Sequence, residues 1–190
     1  MQFTYDENNV LNQIALANTQ TNIQQVAVEI TKQESARKIT IIGGAAVDII
    51  SQSNTIEPGS GNSHIGTIVM HEGGSTRNVA ECIGRLGLGA DVTFIAGVGD
   101  DDKQLIIKNS LERVGISSSG LCEKKGERTG AFTGILDKNG DFFCGVADME
   151  VLEFIPQSHL DLFQFWNTQI LILDSNIGEV TLDYVLSRSS

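Results

Sequence analysis

Proline is nearly missing from this chain: 2 residues in 190, against 20 glycines. That balance, with 41% apolar residues, excludes a fibrous or disordered polymer and leaves a globular chain long enough for one domain with a core. Cysteine is scarce too. Cys82, Cys122 and Cys144 make an odd number with no Cys-x-x-Cys pair, which indicates neither a disulfide framework nor a zinc site and reads as reduced thiols. Basic charge is short: 13 Lys and Arg stand against 24 Asp and Glu, a net charge of -11. Such a chain repels nucleic-acid phosphates unless it carries a basic patch, and Lys124-Lys125 is flanked by Glu123 and Glu127. A small-molecule partner is expected, and no nucleic acid. No run approaches the ~20 apolar residues of a membrane helix. The N-terminus lacks the basic start and apolar run of a signal peptide, so a cytoplasmic protein with no membrane partner is expected.

Several chemistries are missing as well. There is no Walker A loop and no Gly-x-Ser-x-Gly elbow. His64, His71 and His159 lack the spacing of metal ligands. Gly97-Val98-Gly99-Asp100 begins like a dinucleotide fingerprint, but Asp102 stands where the third glycine belongs. Asp100, Asp101 and Asp102 read as acids complementing a helix dipole rather than as a metal cluster.

What is present is a regular alternation from Lys38 onward. Ile39-Thr40-Ile41-Ile42 reads as a buried strand running into Gly43-Gly44, and Ile65 to Met70 alternates weakly as a strand. A helix is expected from Ser75 to Leu86, with Val79, Ile83 and Leu86 on one face and Gly87 after it. Val92 to Ala96 is a second strand, and a helix from about Asp102 carries Ile107, Leu111 and Val114 and ends at Gly115. Ala131 to Leu136 and Phe142 to Val146 flank Asn139-Gly140 as a hairpin. Ile170 to Leu173 is a further strand, followed by a helix from Glu179 to Ser187. The fold class is α/β with a small β accessory. Residues 1–36 are polar and glycine-free, and read as a partly helical extension.

Two segments stand out chemically. Gly73-Gly74-Ser75-Thr76-Arg77-Asn78 opens a helix. Its glycines and exposed N–H groups could cradle an oxygen-rich ligand, or it could be a tight turn with Ser75 as N-cap. Asp48 follows the first strand core. It could accept hydrogen bonds from sugar hydroxyls at the carboxyl end of a sheet, or be a solvated Asp in a strand-to-helix connection.

In order, Gly73 to Ala80, then Arg85-Leu86-Gly87, then Phe94 to Asp101 resemble the N-terminal signature of the PfkB family, the ribokinase-like carbohydrate kinases. The strand into Gly43-Gly44 with Asp48 behind it is similar to the family's first strand and sugar-contacting Asp. The resemblance runs over about residues 38–190, and departs at Gln104, where the family usually has glycine. It implies a ribokinase-like, Rossmann-type sheet with a small β lid, truncated C-terminally. The family's catalytic Gly-Ala-Gly-Asp and its adenine-binding segments have no counterpart in these 190 residues. Three shorter segments resemble the pseudouridine kinases within the family: Glu57-Pro58-Gly59, Ala147-Asp148-Met149 and Asp174-Ser175-Asn176-Ile177.

By this resemblance Asp48, Gly73, Gly74 and Asn78 hold ribose hydroxyls, and Asp148 and Asn176 shape the rest of a nucleoside pocket. The expected activity is ATP-dependent phosphorylation of a nucleoside or sugar, with Mg²⁺, in a full-length form. This chain would supply the substrate side, with a homodimer formed through the lid. Asn18 to Ile23 resembles the end of a pseudouridine-5′-phosphate glycosidase, so the extension could be a remnant of a fused domain.

Overall fold

The computed structural model describes residues 38–55 and 61–189. The polar extension over residues 1–36 and the segment Glu57-Pro58-Gly59 lie outside the described residues. The elements run β1 (Ile39–Ile42), β2 (Ala46–Ser53), β3 (Gly66–Gly73), α1 (Ser75–Ile83), β4 (Val92–Gly99), α2 (Asp102–Arg113), β5 (Leu121–Lys124), β6 (Ala131–Leu136), β7 (Phe142–Asp148), α3 (Gln157–Leu162), β8 (Ile170–Leu173) and α4 (Glu179–Arg188). They form two four-stranded sheets.

The first sheet has the order β5-β4-β1-β8 and is parallel throughout. Both faces of its central strands β4 and β1 are covered, as a parallel sheet requires. Ile41 and Phe94 are register partners and face one apolar cluster with Ala80 of α1 and Ile107 and Leu111 of α2. Ile42 and Ile95, one residue on, face the opposite cluster with Leu160 of α3, Phe165 and Val185 of α4. These four sheet residues are 0% exposed, and burying each contributes roughly 1.5–3 kcal/mol.

The second sheet, order β3-β2-β6-β7, is the lid. It is larger than the expected hairpin, because β2 pairs antiparallel with β3 and parallel with β6, bringing four strands together. The β6–β7 turn is held by Asp137, whose carboxylate accepts from the backbone N–H groups of Asn139 and Asp141. Arg113 of α2 donates to Glu72 of β3 at 2.7 Å, tying the lid's base to the parallel sheet's helices.

Three expectations are corrected. Asp48 lies in neither a strand-to-helix connection nor a loop: it is within β2, paired with His71 of β3. The helix from Ser75 ends at Ile83, and Gly84–Leu88 continues as a wider turn containing Gly87 at φ 84°. Ser75 is not an N-cap: Gly74 occupies that position, no side chain caps the helix, and the Ser75 hydroxyl is engaged elsewhere. Gln104 sits within the first turn of α2 and donates from Nε2 to Glu123 at 2.9 Å, so the position accepts a side chain.

Candidate functional site

A cleft of about 660 Å³ opens at the carboxyl ends of β1 and β8, where parallel α/β sheets bind ligands. Gly44 and Ala46 line it from the segment after β1 and the start of β2, and Gly74 and Ser75 from the opening of α1. Ala147, Met149 and Glu150 line it from the end of β7, and Asp174 to Ile177 from the end of β8. Lid and parallel sheet therefore share one wall. The charged lining residues are Glu150, Glu153 and Asp174, and none of the lining residues is basic. Such a wall disfavours anions and suits a neutral ligand rich in hydroxyl or N–H groups.

The turn between lid and helix is shaped by its glycines. Gly74 has φ 98°, and a Cβ there would lie 2.5 Å from the Gly44 carbonyl oxygen. A Cβ at Gly73 would overlap the Asp48 carboxylate, so that carboxylate rests directly on the Gly73 backbone. Asn78 follows one turn on, its N–H donating to Gly74 O at 2.9 Å.

Arg77 ties this turn down. It is buried, with Nη1 donating to Glu81 at 2.6 Å and Nη2 to both Glu72 O and Asn78 Oδ1 at 2.9 Å. Its Nε has no hydrogen-bond partner among the described residues. The guanidinium fixes the end of β3 and the Asn78 amide together. The oxygen of that amide is identified by the donor facing it.

Asp174 is the hub of the other wall. Its Oδ2 accepts from Ser75 Oγ at 2.6 Å, Thr76 Oγ1 at 3.0 Å and Gly44 N–H at 3.4 Å. Its Oδ1 accepts from the Asn176 backbone N–H at 3.0 Å and from Asn176 Nδ2 at 2.8 Å. Burial alone would raise the Asp174 carboxyl. The donors from Ser75, Asn176, Thr76 and Gly44 outweigh it and hold the group below the ordinary carboxylate value.

The six residues expected from sequence are thus distributed unevenly. Gly74 and Asn176 line the cleft. Asp48, Gly73 and Asn78 stand together around Gly74, beside the lining. Asp148 sits between the lining residues Ala147 and Met149, but its carboxylate accepts from Arg128 Nε at 2.7 Å. Asp174 and Ser75 were not among the six. The spacing Asp174-x-Asn176 at a strand end, which favours a side-chain-to-backbone turn, was the available signal. Among the described residues no group of three or more His, Cys, Asp or Glu side chains is arranged to hold a metal ion, and no helix is long and apolar enough to cross a membrane.

Comparison with known proteins agrees with this architecture. The pseudouridine kinase of Arabidopsis thaliana is 27% identical over 147 residues, covering 75% of this chain and 37% of that protein. The pseudouridine kinase of Escherichia coli (strain K12) is 24% identical over 156 residues, covering 80% of this chain and 48% of that protein. The chain therefore spans less than half the length of these curated relatives. The solved structure of Arabidopsis thaliana ribokinase complexed with ribose and ATP superposes with a TM-score of 0.69 at 20% identity, over 80% of this chain and 50% of that one. The family model described as pfkB family carbohydrate kinase matches residues 36–182, and this chain belongs to that family.

Proposed function

We propose that the cleft binds an unphosphorylated nucleoside, pseudouridine in the first instance, as the acceptor side of an ATP-dependent 5′-kinase. The observation that carries this is the cleft wall itself: hydroxyl, amide and carboxylate groups with no basic residue, beside a lid, in a PfkB-family fold. The two curated relatives named as pseudouridine kinases support the choice of nucleoside.

In this reading Asp48, Gly73, Gly74 and Asn78 receive the ribose hydroxyls, and Asp148 and Asn176 border the base. The lid excludes water that would compete as phosphoryl acceptor. ATP is the phosphoryl donor in this reading, with Mg²⁺ as its counter-ion. The sequence holds no Gly-Ala-Gly-Asp. The open face of the lid receives a second copy. Ile68, Met70 and Val146 share that face by strand register and are 72%, 51% and 72% exposed.

A second reading, a binding module that takes the nucleoside without phosphorylating it, is supported by the same cleft wall. Incubating the chain with Mg-ATP and pseudouridine, ribose or adenosine, alone and in a C-terminally extended form, separates these. Turnover of pseudouridine by the extended form only is expected. Turnover by the short chain contradicts the division of roles. Extended-form activity on ribose or adenosine but not pseudouridine contradicts the substrate.

A further inference from the structure

Ser75 and Asn176 face the cleft from different elements, yet both are held by one buried carboxylate. A serine hydroxyl has a single hydrogen. That of Ser75 is directed to Asp174 Oδ2 at 2.6 Å, so Ser75 Oγ meets the cleft with lone pairs alone. Asn176 gives one hydrogen of Nδ2 to Asp174 Oδ1 at 2.8 Å, and its backbone N–H goes to the same oxygen at 3.0 Å. The amide cannot turn over without setting Oδ1 against a carboxylate oxygen. Its Oδ1 is therefore held on the side away from Asp174. Asp174 itself is 7% exposed and already accepts on both oxygens.

We propose that Asp174 is a positioning residue that makes this wall an acceptor surface, fixing Ser75 Oγ and Asn176 Oδ1 so that the ligand group against them must bring an O–H or N–H. The inference rests on the nucleoside reading and deepens it. Selection at this wall is by hydrogen-bond polarity, not by shape alone. A ligand whose donor is replaced by an acceptor of similar size meets lone pair against lone pair and loses more than one hydrogen bond's contribution.

The test is calorimetric titration of the whole chain with pseudouridine, its 2′-, 3′- and 5′-fluoro analogues and its N1- and N3-methyl forms. The wild-type chain should bind pseudouridine and reject at least one analogue by about ten-fold or more. In Asp174→Asn the new amide can donate to Ser75, which frees the serine hydrogen. The same analogue should then be rejected by about two-fold or less. Ser75→Ala, at an exposed position, should lose the same discrimination and remain folded with a small drop in melting temperature, which preserves the test should Asp174→Asn fail to fold. Pseudouridine binding with no analogue rejected, or wild-type discrimination retained in both variants, overturns the inference and leaves the nucleoside reading standing. No binding of any compound overturns the nucleoside reading and the inference with it.

Discussion

Ser75 Oγ and Asp174 Oδ2 lie 2.6 Å apart, joining the first residue of α1 to the residue after β8 across 99 positions of sequence. Thr76 and the Gly44 N–H reach the same oxygen, so this one carboxylate closes three chain segments around the cleft.

Asp174→Ala leaves the donors of Ser75, Asn176 and Gly44 without this acceptor, while the Thr76 hydroxyl keeps the Gly44 carbonyl oxygen at 3.1 Å. The expected loss of folding stability is about 2–3 kcal/mol, read from urea denaturation midpoints at constant slope.

The pH dependence follows from the lowered Asp174 carboxyl. A group whose folded value is depressed contributes stability that is present above its ordinary value of 3.8 and lost as pH falls through the folded value. The melting-temperature difference between wild type and Asp174→Asn should therefore be constant near neutral pH and shrink in the acid range below about pH 4. A difference that grows on acidification would contradict the sign.

Gly74→Ala introduces a Cβ at φ 98° against the Gly44 carbonyl oxygen. Backbone strain and displacement of the Gly44-Ala45 backbone should cost about 1–3 kcal/mol. Because Gly74 also lines the cleft, nucleoside affinity should fall with stability. Thermal unfolding and titration on the same sample check both.

Arg77→Ala removes a buried guanidinium from Glu81, Glu72 O and Asn78 Oδ1. The loss should be about 3 kcal/mol, and Arg77→Lys should not restore it, because a single ammonium cannot reproduce the planar fork. Recovery of the wild-type denaturation midpoint by Lys would show that charge alone suffices.

The lid's open face gives a prediction about assembly. Val146→Arg on that face should shift the chain toward monomer in sedimentation velocity without lowering its melting temperature, since Val146 is 72% exposed. An unchanged sedimentation profile contradicts pairing through this face.

How far the sequence revealed this molecule depended on where each segment is buried. β1 and β4 were legible because parallel strands covered on both faces read as short apolar runs, β8 because its edge position still keeps the run Ile170 to Leu173, and α2 because Ile107 and Leu111 repeat at helical spacing. β2 was not. Its residues Asp48 to Ser51 are all half-buried, so the strand shows no clean alternation. The glycine turn was visible as Gly73-Gly74, but its partner was not, since the Ser75–Asp174 bond exists only once α1 and β8 are brought together. Local sequence pointed to Ser75 as a cap, and tertiary structure redirected its hydroxyl.

The most direct measurement is titration of the 190-residue chain with pseudouridine, repeated on Asp48→Ala. Asp48 rests against Gly73 beside the cleft, so saturable binding by the wild type and a loss of about ten-fold or more in the variant are predicted, with little change in melting temperature. No binding by the folded wild type, or equal affinity in the variant, would contradict the placement of a nucleoside in this cleft.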